Sequence, residues 1–172
     1  TSLEATALYA GIVVDTKNFA VQTGVRTFDA AAYLRRCGAE PEIVRSIFSS
    51  DFATVRLKSS LLAKATIEDG VAMLDCGDLK ENATMLAAQL ADILINLNNV
   101  KASFTFYELA EKTVGICARS KGEVNVQRVM EVLGGGGHSN VAGAQLKGLT
   151  SEEAQEVVRK ALEEITEEKE SE

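Results

Sequence analysis

Apolar residues in the first third of the chain recur with the spacing of short helices. Residues 3–14 are apolar almost throughout and rich in alanine, and their length favours a buried helix over a strand. A second helix is predicted over residues 28–37, with Thr27 as its N-cap and Gly38 at its end. Pro41 suits the first turn of a third helix. This part of the chain is therefore predicted to be helical.

The pattern changes after the next predicted helix. That helix begins near Asp51, extends to about Ile67 and is expected to connect two parts of the chain. Residues 71–74 form a short apolar run that predicts a buried strand. Residues 83–97 place leucine and isoleucine three and four positions apart, as in a helix that packs on one side. Strand and helix patterns that alternate in this way predict an α/β fold for the second half of the chain.

A hairpin is predicted next, with strands over residues 101–109 and 113–119. Successive side chains of a strand point to opposite faces of the sheet. Arg119 therefore lies opposite the apolar face that holds Val114 and Ile116, and we expect it to point towards solvent or a cleft.

The last third of the chain contains two more predicted helices with a strand between them. Asn125 is a predicted N-cap for a helix that Gly134 ends. Residues 142–147 predict a strand. A capping box that begins at Thr150 opens a final amphipathic helix.

Composition and charge narrow the classes of protein that fit. Of the 172 residues, 46% are hydrophobic and 25% charged, as in an ordinary folded protein. No apolar run reaches the roughly 20 residues of a membrane span, and we expect no signal peptide. A net charge of −7 argues against binding of long nucleic acid but permits a small anionic ligand. Three scattered cysteines, without the spacing of a zinc site, indicate reduced thiols and a cytoplasmic location.

Four consecutive glycines followed by the only histidine of the chain give the strongest chemical signal. Glycine in regular structure costs roughly 0.5–1 kcal/mol relative to alanine, so a run of four needs a reason. Tight turns with positive φ, and main-chain amides that must approach a ligand, are two such reasons. A glycine-rich helix end with a surface histidine is the alternative. The residues of this motif are Gly134, Gly135, Gly136, Gly137 and His138.

Residues near the glycines favour a phosphate ester as the ligand. Arg119 can hold a phosphate through two charge-assisted hydrogen bonds, and Ser120 and Asn125 add polar groups close by in the sequence. His138 can donate to a phosphate oxygen or act as an acid near neutral pH. Cys117 lies beside this cluster, and we expect it to be buried rather than nucleophilic.

Two stretches of the chain resemble a known family. The stretch LGGGGHSNVAGAQL, preceded by ICARSKGEVNV, resembles the glycine-rich signature of the DHH-associated domain. The stretch ALYAGIVVDTKNFAVQTGVRTFDAAAYL is similar to the end of a DHH phosphoesterase domain. The resemblance implies the end of a DHH domain over residues 1–50, a connecting helix over residues 51–69 and a DHH-associated substrate-binding domain over residues 70–172. It also implies a mixed sheet flanked by helices in that last domain.

Within the family, the chain is most similar to membrane-tethered bacterial phosphodiesterases that hydrolyse cyclic di-AMP to the linear dinucleotide pApA. The resemblance implies that Asp15 is one ligand of a pair of manganese ions, although a helix-end carboxylate with local hydrogen bonds explains it equally. Arg119, Ser120 and residues 134–138 match the substrate-holding positions, and His138 takes a catalytic role. Asn125 is a weaker match, because helix capping explains it equally.

The chain departs from the family in lacking the Asp-x-Asp and DHH motifs, which supply most of the metal ligands. We therefore expect a fragment of a longer protein that binds substrate and does not hydrolyse it alone. Competing hypotheses are a hydrolase of short oligoribonucleotides or linear adenine dinucleotides, a nucleotide-binding module without catalysis, and a structural or dimerisation module. The resemblance implies membrane attachment only through segments outside this sequence, and it leaves a homodimer open.

Overall fold

Two compact units make up the chain, Thr1–Phe52 and Ala53–Glu172. The structure is a computed structural model that describes residues 1–110 and 112–170, with side chains described as far as Thr166. The first unit contains α1 (Ser2–Asp15), α2 (Val25–Arg36) and α3 (Pro41–Ile47). These bounds confirm that the first part of the chain is helical.

The start of α2 differs from the prediction. Gly24, not Thr27, is the N-cap, and the helix begins at Val25. The Thr27 hydroxyl accepts a hydrogen bond from the Gly24 N–H at 3.3 Å, which is the role of the third helical residue in a capping box. A threonine can occupy either the N-cap or the third helical position of such a box. The sequence pattern therefore predicted the start of α2 three residues too late. Gly38, with φ of 91°, follows the helix as predicted.

The second unit is built around one six-stranded sheet with the strand order β1-β2-β3-β4-β6-β5. Strands β2 and β3 are parallel, and the other neighbouring pairs are antiparallel. Helices pack on both faces, so the mixed sheet confirms the predicted fold class. The elements in chain order are α4 (Phe52–Leu62), β1 (Thr66–Glu68), β2 (Val71–Asp75), α5 (Ala83–Ile95), β3 (Ala102–Ala110), β4 (Thr113–Ser120), α6 (Val126–Val132), β5 (Gly136–His138), β6 (Val141–Lys147) and α7 (Ser151–Glu170).

The helix predicted to run from Asp51 to Ile67 is too long. Helix α4 ends at Leu62, and Ile67 lies in β1, an edge strand that pairs with β2. The two residues between these strands, Asp69 and Gly70, have φ of 49° and 83°. Positive φ at both central residues defines the hairpin turn for which Asp-Gly is a preferred pair. The hairpin closed by this turn includes β1, which takes up the last residues of the predicted helix.

One face of the sheet is covered by α5, and we call it the α5 face. Its core contains Leu86, Leu90 and Leu94 of the helix together with Leu74 and Tyr107 of the strands. Two buried hydroxyls tie the helix to the same face. Ser103 Oγ donates to the Ala91 carbonyl at 2.8 Å, and Thr105 Oγ1 donates to the Ala87 carbonyl at 2.9 Å.

The opposite face is covered by α6 and α7. Val114, Ile116 and Ala118 of β4 belong to this core, together with Met130 of α6 and Val158 of α7. Each large side chain buried in this way contributes about 1.5–3 kcal/mol of transfer free energy. The apolar face predicted for this strand is therefore confirmed, and Arg119 lies on the other side.

Helix α7 begins at the predicted capping box. The Thr150 N–H donates to Glu153 Oε2 at 2.8 Å, and the Glu153 N–H donates to Thr150 Oγ1 at 3.3 Å. Within the described part of the chain, no helix combines the length and the apolar character that crossing a bilayer requires.

Candidate functional site

The glycine motif ends in a strand rather than in an open loop. Residues Gly136–His138 form β5, which pairs with β6 at the edge of the sheet through a turn at Ser139 and Asn140. The sequence pattern predicted no strand at these residues, because glycine has a low strand propensity. Pairing with β6, which a local pattern does not reveal, fixes the segment instead.

Three of the four glycines have a structural reason. Gly134 has φ of 75° and ends α6, with its N–H donating to the Glu131 carbonyl at 3.0 Å. A Cβ at Gly135 would lie 2.2 Å from the Gly143 carbonyl oxygen. A Cβ at Gly137, where φ is 147°, would lie 2.5 Å from the Ala142 Cα. Helix ending and close backbone contact therefore account for these positions.

Gly136 is the exception among the four. A Cβ built there meets no atom within 4 Å, and its φ is not in the left-handed region. The pairing of Gly136 with Gly143, and of Gly143 with Cys117, puts Gly136 on the α5 face. A side chain at this position would stand over open sheet. The fold therefore tolerates a larger residue at position 136. Because glycine has no side chain, the sheet stays flat there beside His138.

Arg119 and His138 share the α5 face. Arg119 pairs with Val141 across β4 and β6, and Val141 pairs with His138 across β6 and β5. Paired residues point to the same face, and two strand spacings of about 4.8 Å put the two Cα atoms about 10 Å apart. His138 is exposed, and so is Val141 between them. The guanidinium and the imidazole therefore border one open patch of the sheet.

The side chain of Arg119 is held in place by two hydrogen bonds. Its Nε donates to Asp92 Oδ1 on α5 at 2.9 Å, and its Nη1 donates to the Ala118 carbonyl at 3.0 Å. Only 13% of the Arg119 side chain is exposed, against 35% for Asp92. The N–H groups that these two bonds do not use remain for a ligand.

Sequence reasoning missed Asp92. Its signal was present, because Asp92 is the only charged residue within α5, a helix that is otherwise rich in leucine and alanine. The sequence does not show that β4 runs beside this helix, which is what brings Asp92 to Arg119.

Ser120 and Asn125 are placed away from the α5 face. Ser120 follows Arg119 on β4, points to the opposite face, and its Oγ accepts a hydrogen bond from the Gly122 N–H at 2.9 Å. Asn125 is the N-cap of α6, and its Oδ1 accepts from the Arg128 N–H at 3.3 Å. Both side chains therefore make local hydrogen bonds, whereas the main-chain N–H of Ser120 donates to the Asn140 carbonyl, in the turn after His138, at 3.0 Å.

Asn125 also lines a groove on the face that α6 and α7 cover. The groove has a volume of about 600 Å³ and lies between β2 and α7, with Met73, Lys101, Arg159 and Leu162 among its lining residues. Neither Arg119 nor His138 lines it. This groove is thus on the opposite side of the sheet from the candidate site.

Cys117 lies on the α5 face but is buried, with 8% of the residue exposed. Burial raises the pKa of its thiol above the ordinary value, more than the nearby Arg119 charge lowers it. The thiol therefore stays protonated at neutral pH, and it is a poor nucleophile. Its Sγ lies 3.9 Å from the Thr84 carbonyl of α5. The prediction that Cys117 is a packing residue is confirmed.

Asp15, the predicted metal ligand, is the last residue of α1 and is exposed. The next residue, Thr16, ends the helix with its Oγ1, which donates to the Ile12 carbonyl at 2.7 Å and accepts from the Phe19 N–H at 2.9 Å. Among the described residues, no group of three or more His, Cys, Asp and Glu side chains could hold a metal ion.

Comparison with known proteins identifies the class of domain. A crystal structure of an exopolyphosphatase-related protein from Bacteroides fragilis has the same fold, with a TM-score of 0.83 and 22% identity over 95% of this chain and 51% of that one. Residues 70–168 match the DHHA1 domain. The chain belongs to the DHHA1 domain family.

Three curated relatives match almost the whole chain. The cyclic-di-AMP phosphodiesterase PdeA of Listeria monocytogenes is 45% identical over 161 residues, which are 93% of this chain and 24% of the relative. The cyclic-di-AMP phosphodiesterase GdpP of Geobacillus thermodenitrificans is 47% identical over the same shares. GdpP of Bacillus subtilis is 44% identical over 96% of this chain and 26% of its own length. The chain spans about a quarter of these relatives.

Proposed function

We propose that this chain is the substrate-binding part of a phosphodiesterase that hydrolyses cyclic di-AMP to pApA. Three relatives named cyclic-di-AMP phosphodiesterases match at least 93% of the chain at 44–47% identity. Because the chain spans about a quarter of their length, the complete activity belongs in this proposal to a longer protein. Residues 70–168 then form its DHHA1 domain, and residues 1–50 the end of its DHH domain.

The observation that carries the proposal is the open patch between Arg119 and His138 on the α5 face. A phosphodiester is a compact anion that a guanidinium binds through two parallel N–H donors. The imidazole of His138, whose Cα lies about 10 Å from that of Arg119 across two strands, can contact the same dinucleotide from the other side. Gly136 has open space above it, so a ligand can lie flat against the sheet there.

In this proposal each residue has a separate role. Arg119 binds a phosphate through the donors that Asp92 and Ala118 leave available. His138 donates a hydrogen bond to a phosphate oxygen and acts as the acid. Gly134 ends α6, and the close backbone contacts at Gly135 and Gly137 hold β5 against β6, which fixes the position of His138. Ser120 and Asn125 support the site through their local hydrogen bonds.

We include a pair of manganese ions in the proposal, but the residues present do not form their centre. Two-metal hydrolysis requires side chains that bridge ions about 3.5–4 Å apart. The described residues contain no cluster that could hold a metal ion. Asp15 stands exposed at the end of α1 and contributes one carboxylate at most. The remaining ligands would come from outside this chain.

A second candidate is a hydrolase of linear dinucleotides or short oligoribonucleotides. The bifunctional oligoribonuclease and PAP phosphatase NrnA of Mycoplasma genitalium is 31% identical over 81% of this chain and 45% of its own length. Arg119 and His138 contact phosphate rather than base in the proposed mode, so they suit a linear substrate as well. The linear and cyclic substrates must therefore be compared directly.

Calorimetric titration of the 172-residue chain tests the proposal. We expect binding of cyclic di-AMP and pApA, and a weaker response to inorganic phosphate, which offers one anionic group only. The longer protein, with manganese, should release pApA from cyclic di-AMP. Faster cleavage of pApA than of cyclic di-AMP would favour the second candidate. If neither dinucleotide binds to the folded chain, a structural or dimerisation module becomes the better explanation.

The location follows from the same proposal. The longer protein would be attached to the membrane through segments outside this chain, with this part in the cytoplasm, and it would act on a small nucleotide rather than on long nucleic acid. A net charge of −7 supports the last point, because long nucleic acid binds basic surfaces. Light scattering of the purified chain would decide between a monomer and a homodimer.

A further inference from the structure

We propose that Asp92 is a positioning residue that orients the guanidinium of Arg119 towards a substrate phosphate. The inference rests on the proposed function, and it adds a residue of α5 to a site otherwise built from β4, β5 and β6. Asp92 does not contact the substrate in this scheme. It acts through the hydrogen bond that its Oδ1 accepts from Arg119 Nε at 2.9 Å.

The two hydrogen bonds of Arg119 fix both ends of its planar group. Asp92 accepts from Nε, and the Ala118 carbonyl accepts from Nη1 at 3.0 Å. These two bonds use two of the five N–H donors, and the other three belong to Nη1 and Nη2, the two nitrogens at the outer edge of the group. Two parallel N–H groups at that edge match two oxygens of a phosphate. A guanidinium that is held in this way loses less conformational freedom when the substrate binds.

The surroundings of Asp92 argue against a purely structural ion pair. Helix α5 packs on the sheet through leucine and alanine, and Ser103 and Thr105 already tie it to the strands. A partly buried ion pair adds little net stability, because the charges lose hydration. A carboxylate in this helix is therefore explained better by what it does to Arg119 than by what it adds to the fold.

The charge of Asp92 also affects the patch. A carboxylate beside Arg119 reduces the net positive charge that an anion meets, which weakens long-range attraction. The Asp92–Arg119 pair therefore fixes the direction of the guanidinium donors but weakens the electrostatic attraction of a distant anion. Asparagine at this position would keep an acceptor oxygen for Nε and remove the negative charge, so it separates the two effects.

Titration of pApA into matched variants of the 172-residue chain tests the inference. Asp92→Ala should weaken binding about tenfold, because Arg119 must be ordered at the moment of binding. Asp92→Asn should bind at least as tightly as the unchanged chain. In an Arg119→Ala background, Asp92→Ala should cause no further loss, since the residue acts only through Arg119. Thermal unfolding of each variant serves as the control for the fold.

The outcomes separate this inference from the proposed function. If Arg119→Ala loses binding and Asp92→Ala binds like the unchanged chain, the inference is overturned and the proposed function stands. Additive losses in the double variant, or weak binding by a stable Asp92→Asn, also overturn it. If the unchanged chain binds no dinucleotide, both are wrong. If Asp92→Ala fails to fold, the inference is tested with Asp92→Asn alone. That variant should bind pApA at least as tightly as the unchanged chain, and its Arg119 Nε–H should exchange slowly with solvent. Weak binding or fast exchange would overturn the inference.

Discussion

Arg119 and His138 lie in one row of the sheet, two strands apart, with Val141 between them. The row connects a side chain anchored by α5 to the edge hairpin of β5 and β6. It brings together residues that are 19 positions apart in the sequence, counted from 119 to 138. The glycine motif and the arginine are therefore parts of one surface.

Arg119→Ala should weaken binding of pApA by at least about tenfold, because one charge-assisted hydrogen bond is worth about 1.5–3 kcal/mol. Calorimetry on the folded variant provides the measurement. Arg159→Ala is the matched control, since Arg159 lies on α7 beside the groove on the other face. Equal losses in the two variants would indicate a nonspecific effect of positive charge.

Gly136→Ala and Gly135→Ala should have opposite effects on stability. The first has open space and an ordinary φ, so it should leave the free energy of unfolding unchanged or raise it by about 0.4–1 kcal/mol. The second puts a Cβ 2.2 Å from a carbonyl oxygen and should lower it clearly. Urea unfolding measures both.

The same Gly136→Ala variant should bind pApA more weakly, because its methyl group stands on the α5 face beside His138. Gly136→Val should weaken binding further while the domain stays folded. Unchanged affinity in both variants would remove Gly136 from the site. It would also favour the explanation of the motif as a helix end followed by a turn.

His138→Ala should reduce affinity for pApA by about tenfold, the loss expected for one hydrogen bond to a charged group. The side chain is exposed, so the melting temperature should change little. Calorimetry and thermal unfolding together check this. A large fall in melting temperature would assign His138 to the fold instead of the ligand.

Cys76 should make the stability of the protein fall at alkaline pH. Burial raises the pKa of this thiol from 9.0 to about 12. A group whose pKa is higher in the folded state keeps its proton there while the unfolded chain loses it, so stability is lost as pH rises from 9 towards 12. At pH 10 the loss is about 1.4 kcal/mol, one unit above the unfolded value. Cys76→Ala should reduce the difference in free energy of unfolding between pH 8 and pH 10, and the raised pKa of Cys117 accounts for part of what is left.

The 172-residue chain should not hydrolyse cyclic di-AMP when manganese is added, even where it binds the nucleotide. Asp15 supplies a single carboxylate, and the sequence contains neither the Asp-x-Asp nor the DHH motif. Chromatography of the reaction mixture would reveal any pApA. Turnover by the purified chain would contradict the assignment of the metal centre to residues outside it.

Local patterns were sufficient for most of the fold. Leucine spacing predicted α5, alternation predicted the two faces of β4, and Asn125 and Thr150 marked the starts of α6 and α7. The error at Ile67 came from extending a helical pattern into residues 66–68, which form β1, although the Asp-Gly pair that follows is a strong hairpin signal. That error was avoidable.

Other features depend on pairing between distant segments. Strand β5 was missed because its glycines have low strand propensity and are held by β6. The contact between Asp92 and Arg119 requires α5 to lie beside β4, which neither segment indicates alone. Ser120, adjacent to Arg119 in sequence, points to the opposite face. Proximity in the sequence therefore does not reveal which face of the sheet a side chain occupies, and it does not reveal Asp92.

The four glycines differ in their structural constraints, and this difference has a consequence for evolution. Gly134 and Gly137 have positive φ, and Gly135 and Gly137 have no room for a Cβ, whereas neither constraint applies to Gly136. A related domain that no longer binds nucleotides should keep Gly134, Gly135 and Gly137 and should accept other residues at position 136. The residue at position 136 should therefore distinguish paralogues that bind nucleotides from those that do not better than the other three glycines.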